Sequence, residues 1–439
     1  MKNIRILKTA VCLLCAVLSC FSLLSVNASA IELEEIPLGK ARSVYLYNIE
    51  NDKVLVEQNA NEIIQPASTV KIMAGLIACE TFGSDLDRKV KVTAQMREGV
   101  VGNDYGLKPG DTPTYKDLLY LAFCGCYNDA VSIISYVIAG SPDAFVQMLN
   151  VKAAELGMKN THYTNATGLH DPAMRTTAKD TAVLSLAAYR SPLFMQITSA
   201  AQYTTEGLEK TSSFYNRNYL VGKGRIATYY NSLCHGLNAG STSEAGYCVS
   251  TVAESDGISY LCIVMGAEAD SNGKIYSYSI ANLLIKWAYS AYGYIELLST
   301  GEFSLELPVR MSFEKQTVLV VPEKPLKSYQ LLSLSVDKSA VRYSHKLNVD
   351  YIDAPVTEKT VVGTVTVYIN DEAIDTVNLV TKTSVARNEL LYAFERIKEF
   401  TQSTFFIATL ISAVILTTAY LIIKSVLRAS ANKHRTRYR

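Results

Sequence analysis

The hydrophobic pattern changes period several times along these 439 residues, and each change marks an expected element. From Arg42 to Glu57, apolar and polar residues alternate in two runs about Glu50-Asn51-Asp52-Lys53, which predicts an antiparallel hairpin. Residues 72–78 are then apolar without a break. They follow Gln65-Pro66-Ala67-Ser68-Thr69-Val70-Lys71, so a turn should run into a buried helix. A short strand is expected over 90–93, with turn chemistry at Tyr105-Gly106-Leu107-Lys108-Pro109-Gly110-Asp111. Helical spacing returns over 115–124, apolar at Leu118, Leu119, Leu121 and Ala122, and again over 131–138, 142–156 and 178–189. Strand-like runs at 248–253 and 260–266 follow the small-residue stretch 236–246, and a helix around Trp287 is expected over 279–292.

Past residue 297 the chain turns to short β-rich runs at 318–321, 329–336 and 361–380. In the last, Val365, Val367 and Ile369 share a face, and Ile374, Val377 and Leu379 return after Asn370-Asp371-Glu372. This predicts a first domain over 31–295 and a small all-β domain over 296–385. Leu390, Leu391, Phe394 and Ile397 then form one stripe, giving an amphipathic helix within 386–404. Residues 405–423 carry no charge, and as a helix they span about 28 Å, close to a bilayer's hydrocarbon core. The tail 424–439 is basic and free of acids, so a single-pass protein is expected, with its C-terminus cytoplasmic and the rest extracellular.

The other end is also basic, at Lys2, Arg5 and Lys8. An apolar stretch over 10–26 and Ala28-Ser29-Ala30 complete the pattern of a cleaved export signal, residues 1–30. Leu18-Ser19 before Cys20 fits a lipoprotein signal poorly. Three of the nine cysteines would leave with the signal. The other six sit in apolar patterns, which favours buried free thiols over a disulfide framework. The net charge of +1 hides an asymmetry: without the nine basic residues of the two ends, 33 basic residues face 41 acidic ones, a net of −8. That balance argues against a nucleic-acid partner. Five scattered histidines without ligand spacing argue against a metal site, and no cofactor is expected.

Candidate chemistry centres on Ser68 and Lys71, which one helical turn would place on a common face. A serine hydroxyl becomes a nucleophile when a base takes its proton, and a lysine in apolar surroundings can serve. The same spacing recurs at Ser271/Lys274, Ser312/Lys315 and Ser335/Lys338, but only Ser68 opens an apolar helix after a proline. The plain alternative is a capping serine followed by a solvated lysine. Asn128-Asp129, in a polar loop between two apolar helices, is a second candidate, with an Asx cap as its plain alternative.

In order, Ser68-x-x-Lys71, Cys126-x-Asn128 and Asn238-Ala239-Gly240 resemble the S-x-x-K, S-x-N and K-T-G motifs of the penicillin-binding serine enzymes. More specifically, the chain resembles the D-alanyl-D-alanine carboxypeptidases of peptidase family S11. The likeness extends through residues 107–111, 128–130, 155–162, 168–172, Asn216-Arg217-Asn218 and 244–247, and the β-rich segment resembles the family's second domain. The resemblance implies an α/β (α+β) catalytic domain of the serine β-lactamase/transpeptidase type, followed by the all-β domain and one transmembrane helix.

It also implies a membrane-anchored enzyme acting on peptidoglycan stem peptides, with β-lactams as covalent inhibitors. Ser68 would be the acylated nucleophile and Lys71 its base. Cys126 would relay a proton, Asn128 would bind the substrate amide, and Asn238, Ala239, Gly240 and Ser241 would form the substrate-binding strand edge. The N–H groups of Ser68 and Ser241 would hold the oxyanion. Two positions depart from the family, cysteine for serine at 126 and asparagine for lysine at 238. They leave a rival reading, a catalytically idle peptidoglycan-binding or scaffold protein. A β-lactamase is disfavoured because no candidate glutamate loop for deacylation is visible.

Overall fold

The computed structural model describes residues 31–435 except 225, 333–339 and 370, so the expected export signal lies outside the described residues. The chain divides into two units between Tyr292 and Gly293.

The first unit is built on a five-stranded antiparallel sheet in the order β2-β1-β7-β6-β5. Its strands are β1 (Ser43–Asn48), β2 (Lys53–Gln58), β5 (Cys234–Thr242), β6 (Gly246–Ser255) and β7 (Ile258–Ala267). The expected hairpin is β1 and β2, joined through the polar turn at 49–52. Central strands β6 and β7 are nearly continuous runs of buried residues, whereas β2 is largely accessible, as an edge strand should be. A short pair, β3 (Gln202–Thr204) and β4 (Ser213–Tyr215), stands apart.

Helix α1 (Lys71–Phe82) is the core of this unit, with Ile72, Met73, Ala74 and Ala78 fully buried. Gly75 lets it pack closely: a Cβ there would lie 2.5 Å from the Phe194 ring. Around it lie α2 (Tyr115–Leu119), α3 (Asn128–Ala139), α4 (Pro142–Glu155), α5 (Ala178–Tyr189) and α6 (Pro192–Thr198). Helix α7 (Tyr276–Ala291), which contains Trp287, starts three residues earlier than the apolar spacing suggested.

Two expectations need correction. Residues 90–93 form no strand: Val90 and Val92 donate to Pro113 and Asp111 carbonyls, and this turn-rich partner allows only an isolated bridge at Lys89–Thr114. The helix over 115–124 is not uniform either. A Thr114–Asp117 capping box opens α2, which passes into a wider π-turn over Tyr120–Cys124.

The second unit is β-rich. A six-stranded sheet has the order β12-β14-β15-β10-β9-β13, and β8 (Tyr292–Leu298) pairs with β11 (Leu326–Leu331). In the sheet are β9 (Leu305–Arg310), β10 (Thr317–Pro322), β12 (Val341–Leu347), β13 (Ile352–Asp353), β14 (Val361–Ile369) and β15 (Glu372–Thr381). Val365, Val367, Val377 and Leu379 face its core as the alternation predicted, while Ile369 and Ile374 are half-buried near the turn. Helix α8 (Glu389–Gln402) leaves Leu390, Phe394 and Ile397 exposed. Helix α9 (Thr404–Arg435) contains the stretch Thr404–Arg428, which is long and apolar enough to cross a membrane.

Candidate active site

Ser68 sits in a 3-10 turn, Ala67–Val70, that leads into α1. The chain enters through Ala67 in the left-handed region, φ +47°, a conformation costing of order 1–3 kcal/mol in a non-glycine residue. Gly168 backs this turn, since a Cβ there would lie 2.0 Å from the Ala67 carbonyl oxygen. Thr69 donates its N–H and hydroxyl to the Pro66 carbonyl, and among the described residues no side chain caps the turn or α1. The Ser68 hydroxyl is therefore not spent as a cap, and the plain reading of this serine falls away.

Lys71 is only 1% exposed, and its Nζ lies 2.8 Å from Asn128 Oδ1, 2.7 Å from the Thr167 carbonyl and 3.2 Å from Ser68 Oγ. Burial pushes this amine below the ordinary lysine range, opposed by the adjacent Cys126 sulfur and assisted by the Arg217 guanidinium. A neutral amine has two N–H bonds and one lone pair. With the N–H bonds given to Asn128 and Thr167, the lone pair is left for the Ser68 hydroxyl proton. The same pattern elsewhere builds nothing of this kind: the Lys315 backbone N–H only donates to Ser312 Oγ, Lys274 closes a turn on Asp270, and Ser335/Lys338 lie outside the described residues.

The π-turn over Tyr120–Cys124 closes with Gly125 N–H donating to the Tyr120 carbonyl, and Cys126 follows with φ +61°. Cys126 Sγ is 3.9 Å from Asn238 Oδ1 and 4.0 Å from the Ala239 carbonyl, long contacts of a weak donor. Asn128 is the first residue of α3, not its cap. Its Oδ1 accepts from Lys71 and its Nδ2 donates to the Val101 carbonyl at 2.8 Å.

Among the described residues strand β5 pairs with β6 and with no other strand, which leaves its outer edge unpaired. Gly240 lies against Ser68, where a Cβ would come within 2.4 Å of Ser68 Cβ and 2.8 Å of its Oγ. Ser68, Cys126, Asn128, Ala239, Gly240 and Ser241 all line one cleft of about 420 Å³. Lys71 lies beneath it. Asn238 is 3% exposed and faces Cys126 rather than the open cleft, which differs from its expected place on the substrate-binding edge.

Arg217, not among the candidate site residues picked from the sequence, also lines this cleft. Its backbone N–H donates to the Cys124 carbonyl. On either side, Asn216 Nδ2 bonds the Thr198 and Ala200 carbonyls and Asn218 Nδ2 bonds that of Gly236. Among the described residues no carboxylate pairs with Arg217. The only signal in the sequence was an arginine between two asparagines.

A sequence model described as D-alanyl-D-alanine carboxypeptidase, of peptidase family S11, matches residues 32–269, and one for the penicillin-binding protein 5 C-terminal domain matches residues 292–387. The chain belongs to family S11. Among the family's members it is 28% identical over 343 residues to D-alanyl-D-alanine carboxypeptidase DacF of Bacillus subtilis, covering 76% of this chain and 83% of that protein. It is 25% identical over 361 residues to DacC of Escherichia coli, covering 78% and 83%. In fold it is similar to the crystal structure of the DacD carboxypeptidase from Francisella tularensis, with TM-score 0.57 and 19% identity over 83% of this chain and 96% of that one.

Proposed function

We propose that the chain is a serine-type D-alanyl-D-alanine carboxypeptidase that removes the terminal D-alanine from peptidoglycan stem peptides through an acyl-enzyme on Ser68. The observation that carries this reading is the Lys71 amine, buried, committed to two acceptors and turned to Ser68 Oγ at 3.2 Å.

An extended peptide adds along the free edge of β5, so its last peptide bond lies over Ser68. Ser68 Oγ attacks the carbonyl carbon while Lys71 takes the hydroxyl proton. The backbone N–H groups of Ser68 and Ser241 hold the oxyanion. When the C–N bond breaks, the proton passes from Lys71 to the departing amine, with the Cys126 thiol beside the path. Water then attacks the ester carbon as Lys71 accepts its proton, the C–Oγ bond breaks, and Lys71 returns the proton to Ser68 Oγ, which restores the serine and the neutral amine. A β-lactam acylates the same hydroxyl.

Family members carry lysine at position 238 to meet the substrate's terminal carboxylate, and here Arg217 supplies a cation in the cleft. Guanidinium and carboxylate match in a two-pronged geometry that an ammonium lacks. The idle-fold reading has no comparable support, because the groups that acylate are present and connected. Helix α9 anchors the protein, with both β-containing units outside the cell and the basic tail inside.

Incubation of the purified protein with a pentapeptide ending in D-Ala-D-Ala should release one D-alanine per peptide, and Ser68→Ala should abolish release. Equal release by both proteins would remove Ser68 from the reaction, and none from the wild type would remove the activity.

A further inference from the structure

Asp129 is a buried carboxylate that the reaction above does not use. We infer that Asp129, with Arg97, is a positioning residue for acylation: together they fix the segment 97–107 against the cleft and thereby set the Asn128 amide on Lys71.

A carboxylate with no exposure is unfavourable unless its lone pairs are filled. Here they are filled from one segment. Asp129 Oδ1 accepts from Tyr105 N–H at 3.1 Å, and Oδ2 accepts from Gly106 and Leu107 N–H, both at 3.0 Å. Arg97 Nη1 lies 3.2 Å from Oδ2, and the same guanidinium grips Asp104 through two bonds of 2.8 Å. Both ends of the segment are thus tied to the residue next to Asn128.

The segment returns these bonds to the site. The Val101 carbonyl accepts from Asn128 Nδ2 at 2.8 Å, and the Asn103 carbonyl accepts from Asn128 N–H at 2.7 Å. Asn103 Nδ2 donates to the carbonyls of Gly125 and Cys126 at 3.1 and 2.8 Å. Gly102, at φ +85°, brings the backbone so close that a Cβ would lie 2.9 Å from Asn128 Nδ2.

One consequence is chemical. A carboxamide can present either its oxygen or its NH₂ group to Lys71, and a neutral amine with its lone pair on Ser68 needs the oxygen. The Val101 carbonyl selects that orientation by holding the NH₂ end. Loosening the segment frees Asn128 to turn over. Lys71 then loses an acceptor, and its lone pair is no longer held on Ser68.

The inference rests on the acyl-enzyme reading and is tested with a fluorescent penicillin on the full-length protein in detergent. Two quantities are followed, the acylation rate constant and the fraction of molecules labelled at completion. Asp129→Asn keeps the shape but sets an NH₂ group against a backbone donor and ends the charge pairing. Its rate constant should fall about tenfold to a hundredfold, as for a misplaced catalytic group, with the labelled fraction close to wild type. Arg97→Gln, on the partly exposed side of the clamp, leaves the three backbone bonds to Asp129 in place, and its rate should fall by a smaller factor.

A rate constant unchanged in both variants, even with lowered melting temperatures, would reduce Asp129 to a fold-stabilising residue and overturn the inference. If Asp129→Asn does not fold, Arg97→Gln decides alone: a slower rate supports positioning and an unchanged one overturns it. A wild type that takes no label would instead refute the acyl-enzyme reading itself.

Discussion

On one wall of the cleft, Lys71 Nζ lies 2.7, 2.8 and 3.2 Å from three oxygens, with the Cys126 sulfur also adjacent. On the other wall, the Cys126 thiol has its two acceptors at 3.9 and 4.0 Å, one of them on the buried Asn238. Strong, short bonds fix the first wall, while packing and a left-handed backbone fix the second. The contrast separates two jobs of one site. In the proposed reaction, proton removal from Ser68 would depend on the first wall. Handling of the leaving group would depend on the second, where a cysteine and an asparagine stand at the positions of the family motifs' serine and lysine, and Arg217 lines the same cleft.

The largest effect should come from the first wall. Lys71→Arg keeps a cation but removes the neutral amine, so the acylation rate constant for penicillin should fall by about 10²–10⁴, the usual share of a general base. Stopped-flow fluorescence would measure it, and a loss under about tenfold would contradict the base assignment. The pH profile carries the same information. Burial lowers the Lys71 pKa, so the amine is protonated and inactive at low pH and becomes the base as pH rises. Acylation should therefore climb with pH along a limb whose midpoint lies below the ordinary lysine value, and Lys71→Arg should lack that limb. In stability the sign is the same: the unfolded chain holds this proton to higher pH, so the folding penalty for Lys71 fades as pH rises toward the free-lysine range.

That first wall was also the more legible in the sequence. Ser68 after Pro66, ahead of unbroken apolar residues, marked a serine and a lysine on one face of a buried helix, but left open whether the lysine was solvated, which its 1% exposure decides. The hairpin and the β14–β15 alternation were equally readable, since period-2 patterns are local. What escaped depended on distant partners. No apolar spacing marks the shift from α-helical to π-helical bonding at Tyr120–Cys124, which aims Cys126 at the cleft. The place of Arg217 between two asparagines does not show that it lines the cleft, and the place of Asp129 beside Asn128 does not show the segment folded onto its carboxylate. Residues 90–93 look like a strand until their partners prove to be turns around Gly110 and Pro113.

The second wall can be broken at its cation. Arg217→Gln should lower kcat/KM about 10- to 150-fold for a peptide with a free terminal carboxylate, matching the roughly 1.5–3 kcal/mol of a charge-assisted hydrogen bond. The corresponding peptide amide should lose far less, and equal losses for both would move carboxylate recognition elsewhere.

Repairing the second wall should give the smallest change. Cys126→Ser shortens the relay contacts and Asn238→Lys restores the family's cation, but position 238 is buried and Arg217 already supplies charge. Each should raise kcat/KM by about two- to tenfold, the value of an ordinary net hydrogen bond. A rise of several hundredfold in either would mean that this wall, and not acylation, limits the enzyme.

In the proposed reaction Ser68 forms the acyl-enzyme. Mass spectrometry of the protein after brief exposure to penicillin, followed by proteolysis, tests it most directly. One drug-sized addition should appear on the peptide containing Ser68 and vanish in Ser68→Ala. An adduct on the Cys126 peptide, or no adduct at millimolar drug, would contradict it.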